Sequence, residues 1–215
     1  MNEEVLAAIE KYKIIAIVRG VESSKCMKVA EALYAGGIKL MEITYNQSAP
    51  ESWETTAKAI GDIAEAFQGK MFAGAGTVTS TKLVELTAAA GGRYIISPNT
   101  NTDVIRKTKE LGLISIPGAM TPSEILTAHE AGADFVKLFP ASDLGISYLK
   151  AIRAPISHVK LLATGGINEG NAKAFLDAGA CGLDIGGGLA NKKAIEAGEF
   201  EKLTEAAKAF VAAIS

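Results

Sequence analysis

Four short Ala-Gly motifs recur along the chain, Ala35-Gly36-Gly37, Ala90-Gly91-Gly92, Ala131-Gly132-Ala133 and Ala178-Gly179-Ala180, and each closes a helix-patterned segment a few residues before a strand-like run. Glycine at that place adopts the left-handed conformation that ends a helix and turns the chain into a sheet. The strand-like runs number eight: IIAIVR from Ile14, LMEITY from Leu40, FAGAGTV from Phe72, YIISPN from Tyr94, ISIPGA from Ile114, FVKLFP from Phe135, VKLLATGG from Val159 and GLDIGGG from Gly182. Segments such as SSKCMKVAEALYAG, STKLVELTAAAG, NTDVIRKTKELG and EGNAKAFLDAG lie between them, with apolar residues at helical spacing. Thr121, Pro122 and Glu124 supply an N-cap, a first-turn proline and a capping-box acid, which predict a helix start directly after the fifth run. Strand and helix alternating eight times, with the strands apolar on both faces, read as an α/β fold: a parallel sheet closed into a (β/α)8 TIM barrel. A single domain spanning residues 1–215 is predicted, with an N-terminal helix from about Asn2 to Tyr12 covering the barrel bottom. The competing open, doubly wound sheet lacks its usual support, because no GxGxxG fingerprint follows the first run.

A formal net charge of −2 provides no basic field for nucleic acid or anionic membrane, so the expected partner is a small molecule. No stretch approaches the roughly 20 apolar residues of a membrane span. The start, MNEEVLAAIEKYK, carries acids where a signal peptide has basic residues, and a cytoplasmic location is expected. Cys26 and Cys181 lack metal-ligand or redox spacing and read as reduced, packed thiols, and no metal site is predicted. His129 and His158 fall in a helix and a loop and read as surface residues. Tyr45 and Trp53, after the second run, are candidates for a lid or a subunit contact.

Lys137 breaks this pattern. It stands inside the apolar run ADFVKLFP, where alternation places Phe135, Lys137 and Phe139 on one face and Val136 and Leu138 on the other, so neither face is polar. Lysine is almost never fully buried without a partner. An edge strand with the lysine in solvent is the plain alternative.

Barrel enzymes place their chemistry at the C-terminal ends of the strands. Counting every second residue predicts inward sets of Ile15, Ile17 and Arg19, of Leu40, Glu42 and Thr44, of Ala73, Ala75 and Thr77, of Ile95, Ser97 and Asn99, and of Leu162 and Thr164. Each turns polar toward the C-terminal end, as a packed interior opening into a polar pocket requires. Asp184 is also inward by alternation and reads as a buried partner for a barrel cation.

A lysine and a glutamate in one pocket suggest carbonyl chemistry. Lys137, its pKa expected to be lowered by desolvation or by a nearby cation such as Arg19, would attack a ketone and form a Schiff base, and Glu42 would move the protons. The bland reading of Glu42 is an ion pair with Lys137. Gly165 and Gly166 after the seventh run, with Gly186 and Gly187 after the eighth, offer backbone N–H groups where this fold commonly holds phosphate. A phosphate-binding isomerase or epimerase and a non-catalytic sugar-phosphate sensor are the alternatives.

The order Glu42-Ile43-Thr44, Gly74 to Thr77, Ser97-Pro98-Asn99, Ile116-Pro117-Gly118, Lys137 to Pro140, Thr164 to Ile167 and Ile185-Gly186-Gly187 resembles the class I aldolases that cleave 2-keto-3-deoxy-6-phosphogluconate or 4-hydroxy-2-oxoglutarate. The resemblance implies a Schiff base on Lys137, general acid/base action by Glu42, a pyruvate pocket lined by Thr77 and Pro98, Phe139 packed beside the lysine, and Thr164 on substrate hydroxyls. It also implies a phosphorylated keto acid substrate, a homotrimer and no cofactor or metal. Asn46 stands where one branch carries a carboxylate-binding arginine, so the carboxylate is assigned to Arg19. Asn46 and Asn99 together are similar to the branch acting on the galactonate epimer, whereas Thr164 matches the gluconate branch, and Gly188 replaces a frequent serine.

Overall fold

A computed structural model describes residues 2–215. Its strands are β1 (Ile14–Val18), β2 (Leu40–Thr44), β3 (Phe72–Gly76), β4 (Tyr94–Ile96), β5 (Ile114–Ile116), β6 (Gly118–Ala119), β7 (Val136–Leu138), β8 (Leu161–Thr164) and β9 (Gly182–Ile185). Helices are α1 (Asn2–Tyr12), α2 (Ser23–Ala35), α3 (Trp53–Ala66), α4 (Thr81–Ala89), α5 (Thr102–Glu110), α6 (Pro122–Glu130), α7 (Ala141–Arg153), α8 (Ala172–Asp177), α9 (Lys192–Ala197) and α10 (Phe200–Ile214).

Every strand pairing is parallel, in the order β5-β4-β3-β2-β1-β9-β8-β7-β6. The two ends of that order, β5 and β6, are the halves of the fifth predicted run, separated by Pro117 alone. Proline has no N–H to give to a ladder and so interrupts the strand. Its carbonyl accepts from the Lys137 N–H at 2.8 Å, and the Ile116 carbonyl accepts from the Ser97 N–H at 3.2 Å, which joins the halves to opposite neighbours and closes the barrel.

The helix-ending glycines behave as the motif demands: Gly37, Gly91, Gly132 and Gly179 have φ of 101°, 90°, 103° and 105°. At the start of α6, Thr121 and Glu124 form the reciprocal capping box.

Two apolar cores result. The outer one lies between strands and helices and contains Val136 and Leu138. The inner one fills the barrel with Ile15, Leu40, Tyr94, Ile96, Ile114, Ile116, Phe135 and Leu162, and Val5, Ala8 and Ile9 of α1 pack against it from below. Fully burying a side chain such as Val5 or Ile9 stabilises by roughly 1.5–3 kcal/mol and favours α1 lying across the barrel. Two predicted inward sets are corrected here. Ala73, Ala75 and Ile95 belong to the outer core, and the inner face of β4 is Tyr94 and Ile96. Beyond Phe72, which packs against the inner core, the inner positions of β3 are glycines, and a β-carbon at Gly74 would overlap the Tyr94 ring. Tyrosine fills the space the glycine leaves. Tyr45, a lid candidate, is buried in the outer core with its hydroxyl 3.0 Å from Thr87 Oγ1.

Candidate active site

A cavity of about 490 Å³ opens at the C-terminal end of the barrel, lined by Ile17, Arg19, Thr77, Pro98, Lys137, Phe139, Thr164 to Ile167 and Asp184 to Gly188. The strand ends supply these groups because period-2 alternation keeps pointing β1, β7, β8 and β9 inward above the inner core. Thr77 arrives differently. Its φ of 57° is the left-handed conformation that β-branched residues avoid, and it turns the side chain into a cavity that β3 alternation alone does not reach. Gln47 Nε2 donates to the Thr77 carbonyl at 2.8 Å and holds the turn.

Lys137 is buried, with 5 % of its surface exposed, and Nζ donates to Asp184 Oδ2 at 3.0 Å. Thr164 and Asp184 are register partners on β8 and β9, and Thr164 Oγ1 donates to the same oxygen at 3.4 Å. The Phe139 ring centroid lies 5.5 Å from Nζ. Asp184 is therefore the partner of the barrel cation, and the predicted lowering of the lysine pKa is reversed. Burial pulls the ammonium down, but the charges of Asp184 and Glu42 outweigh it and hold Lys137 above the ordinary lysine value.

Glu42 stands in the interior of β2 with no accessible surface. Both its carboxylate oxygens, and Asp184 Oδ1, are buried without a hydrogen-bond partner among the described residues. Burial first, and the Asp184 charge second, raise its pKa to about 8 against the opposing pull of Lys137 and Arg19. No ion pair joins Glu42 to Lys137. The interior thus pushes Glu42 toward its protonated form beside the Lys137–Asp184 pair. Burial and the charges of Glu42 and Asp184 also raise the Tyr94 hydroxyl, which bonds the Phe72 carbonyl at 3.4 Å. Tyr94 went unnoticed in the sequence; its signal is the facing Gly74.

The two glycine loops form the rim. Gly165 and Gly166 have φ of 94° and 70°, and a β-carbon on Gly166 would overlap Ser142. The Gly165 carbonyl accepts from the Ser142 N–H at 3.0 Å, and the Gly166 carbonyl from Asn171 Nδ2 at 3.0 Å. The space a β-carbon on Gly187 would enter is open. The amides of Gly166 and Gly187 donate to no backbone carbonyl among the described residues, which leaves them free for an anion.

Two residues of the predicted set lie outside the cavity wall. Asn46 is exposed and closes a turn, Oδ1 accepting from the Ser48 N–H and its carbonyl from Trp53 Nε1; Asn99 is also exposed. A strand that has already ended no longer aims side chains by alternation. His129 and His158 are exposed neighbours with ring centroids 5.1 Å apart. Burial raises the thiols of Cys26 and Cys181 to about 11, leaving both as unreactive thiols. The described residues hold no cluster of His, Cys, Asp or Glu arranged for a metal ion, and no helix long and apolar enough to cross a membrane.

The family model for KDPG and KHG aldolase matches residues 5–206. The chain is 35% identical to the 2-dehydro-3-deoxy-6-phosphogalactonate aldolase of Escherichia coli (strain K12), over 94% of this chain and 95% of that one. It is 33% identical to the 2-dehydro-3-deoxy-phosphogluconate aldolase of Pseudoalteromonas atlantica, over 86% and 83%. Among solved structures, the KDPG aldolase of Legionella pneumophila, with pyruvate captured as a covalent carbinolamine, superposes with a TM-score of 0.85 at 28% identity, covering 95% of this chain and 97% of that one.

Proposed function

Because the chain belongs to the KDPG and KHG aldolase family, we propose that it cleaves a 2-keto-3-deoxy sugar acid phosphate, the gluconate or galactonate epimer, to pyruvate and glyceraldehyde 3-phosphate. 4-Hydroxy-2-oxoglutarate, yielding pyruvate and glyoxylate, is a shorter substrate of the same chemistry. The observation that carries this reading is Lys137, a buried amine at the floor of a cavity whose rim is two glycine loops, with Glu42 fully buried in the barrel interior and both its oxygens unpartnered.

In this reading the ionised form of Glu42 takes a proton from Nζ, the amine bonds to the ketone carbon, and the oxygen takes that proton. A second proton follows the same route from nitrogen to oxygen, water leaves, and a cationic iminium remains. Glu42 then accepts the proton of the C4 hydroxyl as the C3–C4 bond breaks into the iminium, and it returns that proton to C3 of the enamine. Arg19, exposed and on the cavity wall, binds the substrate carboxylate without help from Asn46. Thr77, Pro98 and Phe139 enclose the pyruvate portion, Thr164 meets a hydroxyl, and Gly165, Gly166, Gly186 and Gly187 bind the phosphate. A homotrimer in the cytoplasm completes the proposal, with assembly measurable by light scattering.

Borohydride reduction in the presence of pyruvate tests it. The expected adduct is a pyruvate-derived mass on the peptide carrying Lys137; an unmodified Lys137 would sink the reading. Comparing kcat/KM for the two epimers identifies the substrate.

A further inference from the structure

We propose that Asp184 is the fixed counter-ion of the Schiff base, holding Nζ in place as an ammonium before reaction and as an iminium after it. The inference rests on the aldolase reading. Its ground is geometric: Asp184 Oδ2 lies 3.0 Å from the reacting nitrogen, both side chains are buried, and the carboxylate forms part of the cavity wall.

Stability does not explain the pair. A buried ion pair is a weak source of it, and a well-packed apolar pair often serves as well. This one is also incompletely satisfied, since Asp184 Oδ1 is buried without a partner. A buried acceptor left open in a cavity wall invites a donor that is absent from the resting protein, such as the hydroxyl of a carbinolamine or the water it releases.

The charge count of the reaction fits. Ammonium and ketone become iminium and water, so nitrogen carries one positive charge before and after, and an anion beside it favours both states. Two protons leave nitrogen and two arrive on the departing oxygen through Glu42, and Asp184 takes no part in the transfer. In the enamine that charge is gone, and Asp184 then favours return of the proton from Glu42 to carbon. Thr164 Oγ1 donates to Oδ2 and fixes the carboxylate.

The groups facing Lys137 are Asp184 on β9, Glu42 on β2 and Arg19 at the end of β1, and Tyr94 on β4 faces both carboxyls. Removing the Asp184 charge lets Lys137 lose its proton more readily and lets Glu42 ionise at lower pH, so both effects have the same sign. Pyruvate trapping by borohydride should therefore be followed against pH in wild type and in Asp184→Asn. The expected result is a midpoint lower by about one pH unit or more in the variant, with less adduct at the plateau. An unmoved midpoint would overturn the counter-ion role while leaving the aldolase reading intact; absence of wild-type trapping would overturn the aldolase reading itself. If Asp184→Asn does not fold, the wild type decides alone. NMR of the Lys137 ε-carbon, assigned by its loss in Lys137→Met, should show an ammonium persisting above the ordinary value of 10.5, and titration below that value would refute the proposal.

Discussion

Gly76 lies directly against the carboxyl group of Glu42, so that a β-carbon at position 76 would overlap both its oxygens. The glycine is what allows a glutamate to occupy the barrel interior at that height. Its backbone has no positive φ, so the effect of Gly76→Ala isolates crowding of the carboxyl. Overpacking of this kind destabilises by about 1–3 kcal/mol. Gly76→Ala should fold and still trap pyruvate on Lys137, but cleave at least about 100-fold more slowly, the lower end of what a positioned acid/base contributes. Wild-type turnover in this variant would show that Glu42 has room to move and that its position is unimportant.

Glu42→Gln removes the titrating group without changing its size. Cleavage should fall about 10²–10⁴-fold, while prolonged incubation with pyruvate and borohydride still labels Lys137. Wild-type kcat/KM should rise with pH to a plateau above about 8, where Glu42 is ionised in the free protein. A flat profile across that range removes Glu42 from the proton-transfer role.

The same carboxyl links pH to stability. Its folded pKa of about 8 exceeds the ordinary 4.5, so between those values the native state keeps a proton that the unfolded chain has released. Stability from this group is complete below pH 4.5, falls as pH rises toward 8, and is level above it. Denaturant titrations of wild type and Glu42→Gln should differ by a quantity that declines by on the order of a few kcal/mol across the window. A constant difference would contradict the buried, unpaired carboxyl.

Lys137→Met leaves Asp184 buried and alone, and breaking such a pair on one side destabilises by about 3–5 kcal/mol. Lys137→Met combined with Asp184→Asn should recover much of that loss. Urea unfolding of the two single variants and the double variant measures the coupling, and strict additivity would mean that the two side chains do not interact in solution.

At the rim, Gly187→Asp places an anion where a β-carbon meets only open space. Thermal stability should change little, and KM for a phosphorylated keto acid should rise at least about tenfold, equivalent to about 1.4 kcal/mol, with less effect on 4-hydroxy-2-oxoglutarate. Equal effects on both substrates would place the phosphate elsewhere.

The barrel was legible because its two signals are local and repeated: apolar runs of strand length, and glycines that must end helices. Lys137, Glu42 and Arg19 were legible because each is a charge at a position alternation turns inward. β3 was misread because two of its inner residues, Gly74 and Gly76, have no side chains and leave only Phe72 to mark that face; Ala73 and Ala75 formed the visible alternation instead. The error carried to β4, where Ile95 was counted inward in place of Tyr94. Asn46 was placed by likeness of position and Asn99 by carrying alternation past the end of its strand, but both follow their strands, where local turns decide direction. The lysine's ionisation was misjudged because desolvation is visible in a sequence, whereas the distance between β7 and β9 side chains is not.

The apolar stopper that α1 drives into the base of the barrel backs the interior from below among the described residues. Glu42, with no accessible surface, lies above that stopper, and in the aldolase reading a substrate seated on Lys137 would cover it from the other side. In that reading the reacting groups would work as a sealed vessel while the substrate is bound, and a proton taken from the sugar hydroxyl would stay with the carboxyl until carbon reclaims it. Each cleavage in deuterated water should deliver one deuteron to the methyl group of pyruvate from the already exchanged hydroxyl, and further isotope should enter only after the aldehyde product has left the mouth.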